Sequence, residues 1–195
     1  PGESEENVAF TVAYRVTDGD GDTIDGTLAI DVDDDTPEIV GSNLTARLDD
    51  DALSGGNAGG TGDDTDAQNL TGTLAHSYGA DGAGTTLLLS TGATLAAGFT
   101  AAVNGAGTVL TISQGATAVL TVTLDNTSSG GYTVAQLAPI DHPTSGESEE
   151  NLAFTVAYRV TDGDGDTTDG TLAIDVDDDT PEIVGSNLTA RLDDD

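Results

Sequence analysis

Hydrophobic and polar positions alternate strictly from residue 8 to residue 17. Val8, Phe10, Val12, Tyr14 and Val16 fall on one side, and Ala9, Thr11, Ala13, Arg15 and Thr17 on the other. A period of two marks a strand with one buried face, because successive side chains point to opposite sides of the pleat. Leu28, Ile30 and Val32 resume the pattern after the loop DGDGDT (18–23), so the two runs predict a hairpin, and the same hairpin is predicted again over 152–160 and 170–177. Centrally, Leu110 and Ile112 are set to face Leu120, Val122 and Leu124 across a QGAT turn, and Asn104-Gly105 predicts a primed turn just before them. Further strands are predicted over 44–48, 70–76, 85–90, 95–103 and 132–137, and no segment carries a sustained 3.6-residue period with caps. The expected fold is all-β, an immunoglobulin-like (cadherin-like) antiparallel β-sandwich with helix content near nil. The stretch 51–66, DALSGGNAGGTGDDTD, has no apolar pattern and reads as loop or linker.

The second hairpin is part of a longer duplication. Residues 2–51 recur at 146–195, an offset of 144, with only two differences: Val8 becomes Leu152 and Ile24 becomes Thr168. Near-identity over so long a period is the mark of a tandem array of domain-sized units. The charge run and proline of DDDTP, at 33–37 and 177–181, form the natural boundary. On that reading 1–37 is the closing hairpin of a preceding unit, 38–181 is a complete unit, and 182–195 opens the next. Within the complete unit, 38–67 is linker and first strand, and 68–181 is the sandwich.

Charge narrows the function classes. The chain has 195 residues, with 36 Asp+Glu against 4 Lys+Arg, a formal net charge of −32. All four cations are arginines: Arg15, Arg47, Arg159 and Arg191. Such a surface excludes nucleic acid and direct contact with an anionic membrane, both of which need a basic face, and makes cations the expected partners. With no Cys, disulfides and thiolate metal sites are excluded, so stability has to come from packing and bound ions. No apolar run nears the roughly 18 residues of a membrane span, and the start Pro1-Gly2-Glu3 lacks the parts of a signal peptide. Export is expected to be directed from elsewhere in a larger polypeptide.

The acids are clustered at turns and joints. Asp18, Asp20 and Asp22, copied as Asp162, Asp164 and Asp166, alternate with glycines that turn the backbone and present its carbonyls. Calcium takes six to eight oxygens in irregular geometry, which suits such a tip. A helix-loop-helix calcium hand needs Gly at the sixth position and Glu at the twelfth, where Thr23 and Ala29 stand, so that motif is rejected. The plainer alternative for these tips is a solvated polar turn. A second cluster, Asp31, Asp33, Asp34 and Asp35, copied as Asp175, Asp177, Asp178 and Asp179, sits where units meet, and is expected near Asp49, Asp50 and Asp51 if the chain folds back. Like charges about 4 Å apart repel by roughly 4 kcal/mol at an effective dielectric of about 20, so a bridging ion would turn a repulsive joint into a stiff one. Here the alternative is an extended, hydrated linker.

Arg15 and Arg159 are expected to pair with strand acids such as Asp25 or Asp31. His142 in its His-Pro turn reads as structural, and the four tyrosines as core or corner residues. Catalysis is the weakest class: there is no Lys or Cys and no Ser-His-Asp spacing, and only a carboxylate pair could serve.

Four segments together carry a family likeness: YTVAQLAPIDHP (132–143), ENLAFTVAYRVTDGDGDTTDGTLAIDVDDDTP (150–181), GTLAHSYGADGAG (72–84) and LDDDALSGGNAGGTGDD (48–64). Across essentially its whole length the chain resembles the tandem repeats of giant type I secreted bacterial adhesins and agglutinins, the RTX adhesins. The resemblance implies calcium-stiffened, immunoglobulin-like extender modules on the bacterial cell surface, holding a terminal ligand-binding region away from the cell for attachment and biofilm formation. The partners so implied are calcium ions and neighbouring repeats, with strand exchange between chains as a further expectation from the doubled hairpin. Residues 59–64, GGTGDD, match the opening of the calcium-binding nonapeptide of RTX proteins, which adds Asp63 and Asp64 to the candidate ligands, although Asp66 stands where an apolar residue should point inward. A carbohydrate- or protein-binding module is the competing reading; it would need exposed aromatic or amide clusters, and the central loops offer mostly Gly, Ala, Ser and Thr.

Overall fold

A computed structural model of the chain describes residues 7–57, 68–144, 149–183, 185 and 192. Asp63 and Asp64, and with them the nonapeptide match, lie outside the described residues. Every regular element among the described residues is a strand.

Nine strands build the sandwich. One sheet contains β3 (Ala46–Asp49), β11 (Thr167–Asp177), β10 (Leu152–Thr161) and β5 (Thr85–Thr94), in that order. The facing sheet contains β4 (Thr71–Thr73), β9 (Gly131–Gln136), β8 (Thr117–Asn126), β7 (Val109–Gln114) and β6 (Phe99–Val103). The remaining strands, β1 (Val8–Thr17) and β2 (Thr23–Val32), form a two-stranded sheet by themselves.

The alternation seen in the sequence is the alternation of burial. On β8, Leu120, Val122 and Leu124 are buried; on β10, Phe154, Val156, Tyr158 and Val160; on β11, Leu172, Ile174 and Val176. These inward faces meet in one apolar core to which both sheets contribute, with Phe154 set edge-on to Phe99, 5.0 Å between ring centres. As expected, Leu110 pairs with Val122 and Ile112 with Leu120.

Among the described residues all pairings are antiparallel except one: β3 runs parallel to β11 at the sheet edge, Ala46 beside Ile174 and Asp49 beside Asp177. A parallel neighbour needs a long crossover, and here the whole body of the unit supplies it. The unit is thereby closed by its first strand lying along its last.

The turn before β7 differs from expectation. Asn104 does not form a two-residue primed turn with Gly105; its Oδ1 accepts from the Thr108 and Val109 amides (2.9 and 3.2 Å), and Gly107 adopts the positive φ of 71°. The Asn side chain caps a longer loop, a local competition that a dipeptide signal does not resolve.

Tyrosines recur opposite glycines. Tyr158 pairs with Gly170, Tyr132 with Gly72 and Tyr14 with Gly26, and in each pair a Cβ on the glycine would collide with the ring. Lacking a side chain, the glycine lets the ring lie flat across the neighbouring strand. Tyr158 is fully buried; its hydroxyl donates to the Ala75 carbonyl at 2.8 Å and accepts from Asn43 Nδ2 at 3.1 Å.

Candidate cation sites

The tip of each hairpin is shaped by its first aspartate. Asp162 Oδ1 accepts from the amides of Gly165 (3.0 Å) and Asp166 (2.8 Å), and Asp18 Oδ1 accepts identically from Gly21 and Asp22. Gly165 and Gly21 adopt φ of 117° and 105°, which explains glycine there. The turn consumes one carboxylate oxygen and leaves the other for the tip. Asp162, Asp164 and Asp166 each bring one oxygen within 4.8 Å of the others, as do Asp18, Asp20 and Asp22. The plainer reading, a polar turn, accounts for the Oδ1 bonds; it does not account for the burial of Asp162, 4% exposed and within hydrogen-bond reach of Asp164.

Electrostatics at the two tips reflect carboxylates in contact. Asp162 pushes the Asp164 carboxyl above its usual range through a shared hydrogen bond, and desolvation with the neighbouring Asp34 and Asp81 adds to the rise. In the other copy, the bond to Asp20, followed by backbone amides, holds Asp18 below it.

A second trio crosses the joint. Asp34, from the segment after β2, Asp81, from the loop between β4 and β5, and Asp164 bring carboxylate oxygens within 4.8 Å of one another. Asp35 next to it accepts from the Ala80 amide at 2.6 Å, which seats the linker on the 79–84 loop. That loop in turn lies against the hairpin tip so closely that a Cβ on Gly84 would strike the Thr161 and Asp162 carbonyls, and one on Gly163 the Asp81 carbonyl. Five carboxylates and several backbone carbonyls therefore gather where the linker enters the body, the two trios sharing Asp164. Asp81 was not among the candidates read from sequence. Its sequence signal, an acid in a glycine-rich loop, is shared with the hairpin tips, and Gly79 and Gly82 adopt positive φ of 77° and 87°.

The third group has different chemistry. Asp50, His142 and Asp178 share a site in which His142 Nδ1 is 3.0 Å from Asp178 Oδ1. The His142 ring also faces the Ile140 carbonyl at 3.1 Å and the Val176 carbonyl at 3.3 Å. Asp50 is only 3% exposed; its Oδ2 accepts from the Ile140 amide at 2.8 Å and its Oδ1 from Gln136 Nε2. Burial raises the Asp50 carboxyl to about 6, against the opposing pull of these bonds and of His142. His142 thus bonds as a structural residue, and in doing so ties the Ile140 loop to the end of β11.

The other candidates separate. Asp49 and Asp177 are buried neighbours across the parallel pairing, and the Asp50 amide bonds the Asp177 carbonyl at 3.1 Å. Asp49 Oδ1 caps the Asp51 amide at 2.8 Å, and Asp179 accepts from Asn57 at 3.2 Å. Asp49 and Asp50 therefore meet Asp177 through the parallel pairing of β3 with β11. Asp31 and Asp33 receive the Asn7 amide, as Asp175 receives that of Asn151 (3.4 Å). Arg15 and Arg159 form the expected two-pronged pairs with Asp25 (2.5 and 2.8 Å) and Asp169 (2.7 and 2.9 Å).

No curated protein and no solved structure matches the chain. A family model, described as a domain of unknown function (DUF5801), matches residues 45–175, which run from the edge of β3 to within β11. Those limits span two thirds of the chain and take in both sheets of the sandwich, so the chain belongs to the DUF5801 domain family.

Proposed function

We propose that the protein is a structural, calcium-stabilised extender module of a large bacterial surface adhesin, type I secreted, projecting a distal ligand-binding region for attachment and biofilm formation. The observation that carries this reading is the trio Asp34, Asp81 and Asp164, which draws one acid from the linker and two from the body it enters. A hard cation is the natural partner for an all-oxygen donor set of this kind, and calcium tolerates its irregular spacing. With the ion bound, repulsion at the joint becomes attraction and the linker is held against the body. Extracellular calcium modules bind at roughly 0.1 to 1 mM, and a tenfold excess of free ion adds about 1.4 kcal/mol per site. Repetition suits this role, since a spacer gains from being copied in series whereas a catalytic centre rarely does.

The test is thermal melting together with small-angle scattering of the chain in calcium and in chelator. The proposal expects a higher melting temperature and a larger, narrower distribution of maximum dimension with calcium. Indifference of both quantities to the ion would reject it.

A further inference from the structure

The chain carries the same hairpin twice in two environments. Strands β1–β2 and β10–β11 share ten equivalent registered pairs, from Val8–Val32 and Leu152–Val176 through Thr17–Thr23 and Thr161–Thr167. In β10–β11 the apolar face is closed by the facing sheet, β5 lies along the free edge of β10, and β3 along that of β11. In β1–β2 the same side chains are open: Phe10 is 53% exposed where Phe154 is 1%, and Tyr14 is 54% exposed where Tyr158 is fully buried. Val12, Val16, Leu28, Ile30 and Val32 extend this bare face. A lone two-stranded hairpin has marginal stability in water, and a contiguous apolar face of this kind marks an interaction surface.

The twin shows what covers such a face: a segment with the sequence of residues 38–144, which contains β3 and β4 to β9. Stoichiometry decides who supplies it. Each chain holds two hairpins and one such segment, so every exchange between chains that seats one hairpin releases another. Exchange therefore leaves one bare hairpin per chain at any degree of association. The register of the next body points the same way, because the Glu38–Ser77 bridge begins a new sandwich immediately after the β2 linker.

We propose that the apolar face of β1–β2 is a docking surface for a 38–144-type segment supplied by a preceding copy of the unit in the same polypeptide, whose sandwich this hairpin completes. The inference rests on the tandem-array part of the function proposed above and is independent of calcium.

The experiment compares the 195-residue chain with an extended chain in which a copy of residues 38–145 is joined ahead of Gly2, each in chelator and in calcium. The added residues with 2–37 reproduce the unit seen as a complete sandwich. Amide exchange read by mass spectrometry should slow by about a hundredfold or more across 8–32 on extension, approaching the protection of 152–177, and dye binding to exposed apolar surface should fall. Phe10→Ala should leave the melting of the 195-residue chain almost unchanged and lower that of the added unit in the extended chain. If extension leaves 8–32 as unprotected as before, the proposal fails. It fails equally if 8–32 is already protected in the shorter chain and sedimentation shows a dimer, because the occupant is then a second bare hairpin. Slowed exchange on extension in chelator, with no response to calcium, would uphold the docking surface while the calcium reading alone fell.

Discussion

Asp50 offers a quantitative handle on the closing joint of the sandwich. Burial moves its carboxyl from 3.8 to about 6, so the fold penalises the ionised form by on the order of 3 kcal/mol. A group raised in the folded state contributes stability that is present in full below its unfolded value, here 3.8, and is lost as pH climbs through about 6. The replacement Asp50→Asn removes the charge and keeps the shape. The introduced amide can still accept from the Ile140 N–H, and it can donate to Gln136 Oε1, which is buried without a hydrogen-bond partner among the described residues, once that amide turns over. In chelator, Asp50→Asn should therefore be more stable than the parent at pH 7, by up to about 3 kcal/mol. The difference should shrink as pH falls through 6 and vanish near 4. Urea unfolding of both proteins across that range is the assay. Subtracting one curve from the other cancels the general relief of repulsion that a chain of net charge −32 gains on acidification. A difference that stays flat with pH, or a variant weaker throughout, would show that Asp50 is held as a carboxylate by His142 and refute the reasoning.

The duplicated hairpin supplies internal controls for further tests. Gly170→Ala should cost about 1–3 kcal/mol because Tyr158 is buried and tethered, whereas Gly26→Ala should stay within about 0.5 kcal/mol because Tyr14 can swing into solvent; equal losses in denaturant melts would contradict the burial difference. Tyr158→Phe should lose about 1–3 kcal/mol, since Asn43 Nδ2 and the Ala75 carbonyl lose a partner, and an unchanged unfolding midpoint would argue against those bonds. Asp81→Asn should weaken calcium binding roughly tenfold in titration calorimetry through the loss of one ligand charge. Identical isotherms for Asp81→Asn and the parent would remove this acid from the joint.

Much of the fold was legible because a half-buried strand writes its burial into every second residue. The hairpins and the pairing of β7 with β8 follow directly from Val, Leu and Ile at alternate positions. What was not legible depends on pairings remote in sequence. Nothing local in Ala46–Asp49 states that its neighbour is Asp177 and that the two strands run the same way. That one parallel pairing brings Asp49 and Asp50 beside Asp177, while Asp34 and Asp35 meet the 79–84 loop. At the tips, Asp-Gly alternation announced both a turn and a cluster of oxygens. Asp81 escaped because a single acid in a glycine loop becomes part of a cluster only when the fold carries it to Asp34 and Asp164. His142 looked like a turn residue, and its place between Ile140 and Asp178 needed the end of β11 to arrive from elsewhere in the sequence.

The glycines at the hairpin tip have a mechanical consequence. Gly84 and Gly163 let backbone meet backbone, so the distance between the 79–84 loop and the β10–β11 tip is set by main-chain contact and not by the mutually repelling acids above it. If this site takes calcium as proposed, a cradle braced in this way would stand open at its working width before the ion arrives. Capture then demands little rearrangement of the body, and the main element left to settle is the incoming linker with Asp34. Stiffening by salt would thus be a local event at each hinge, added unit by unit, with the sandwiches themselves left as they were.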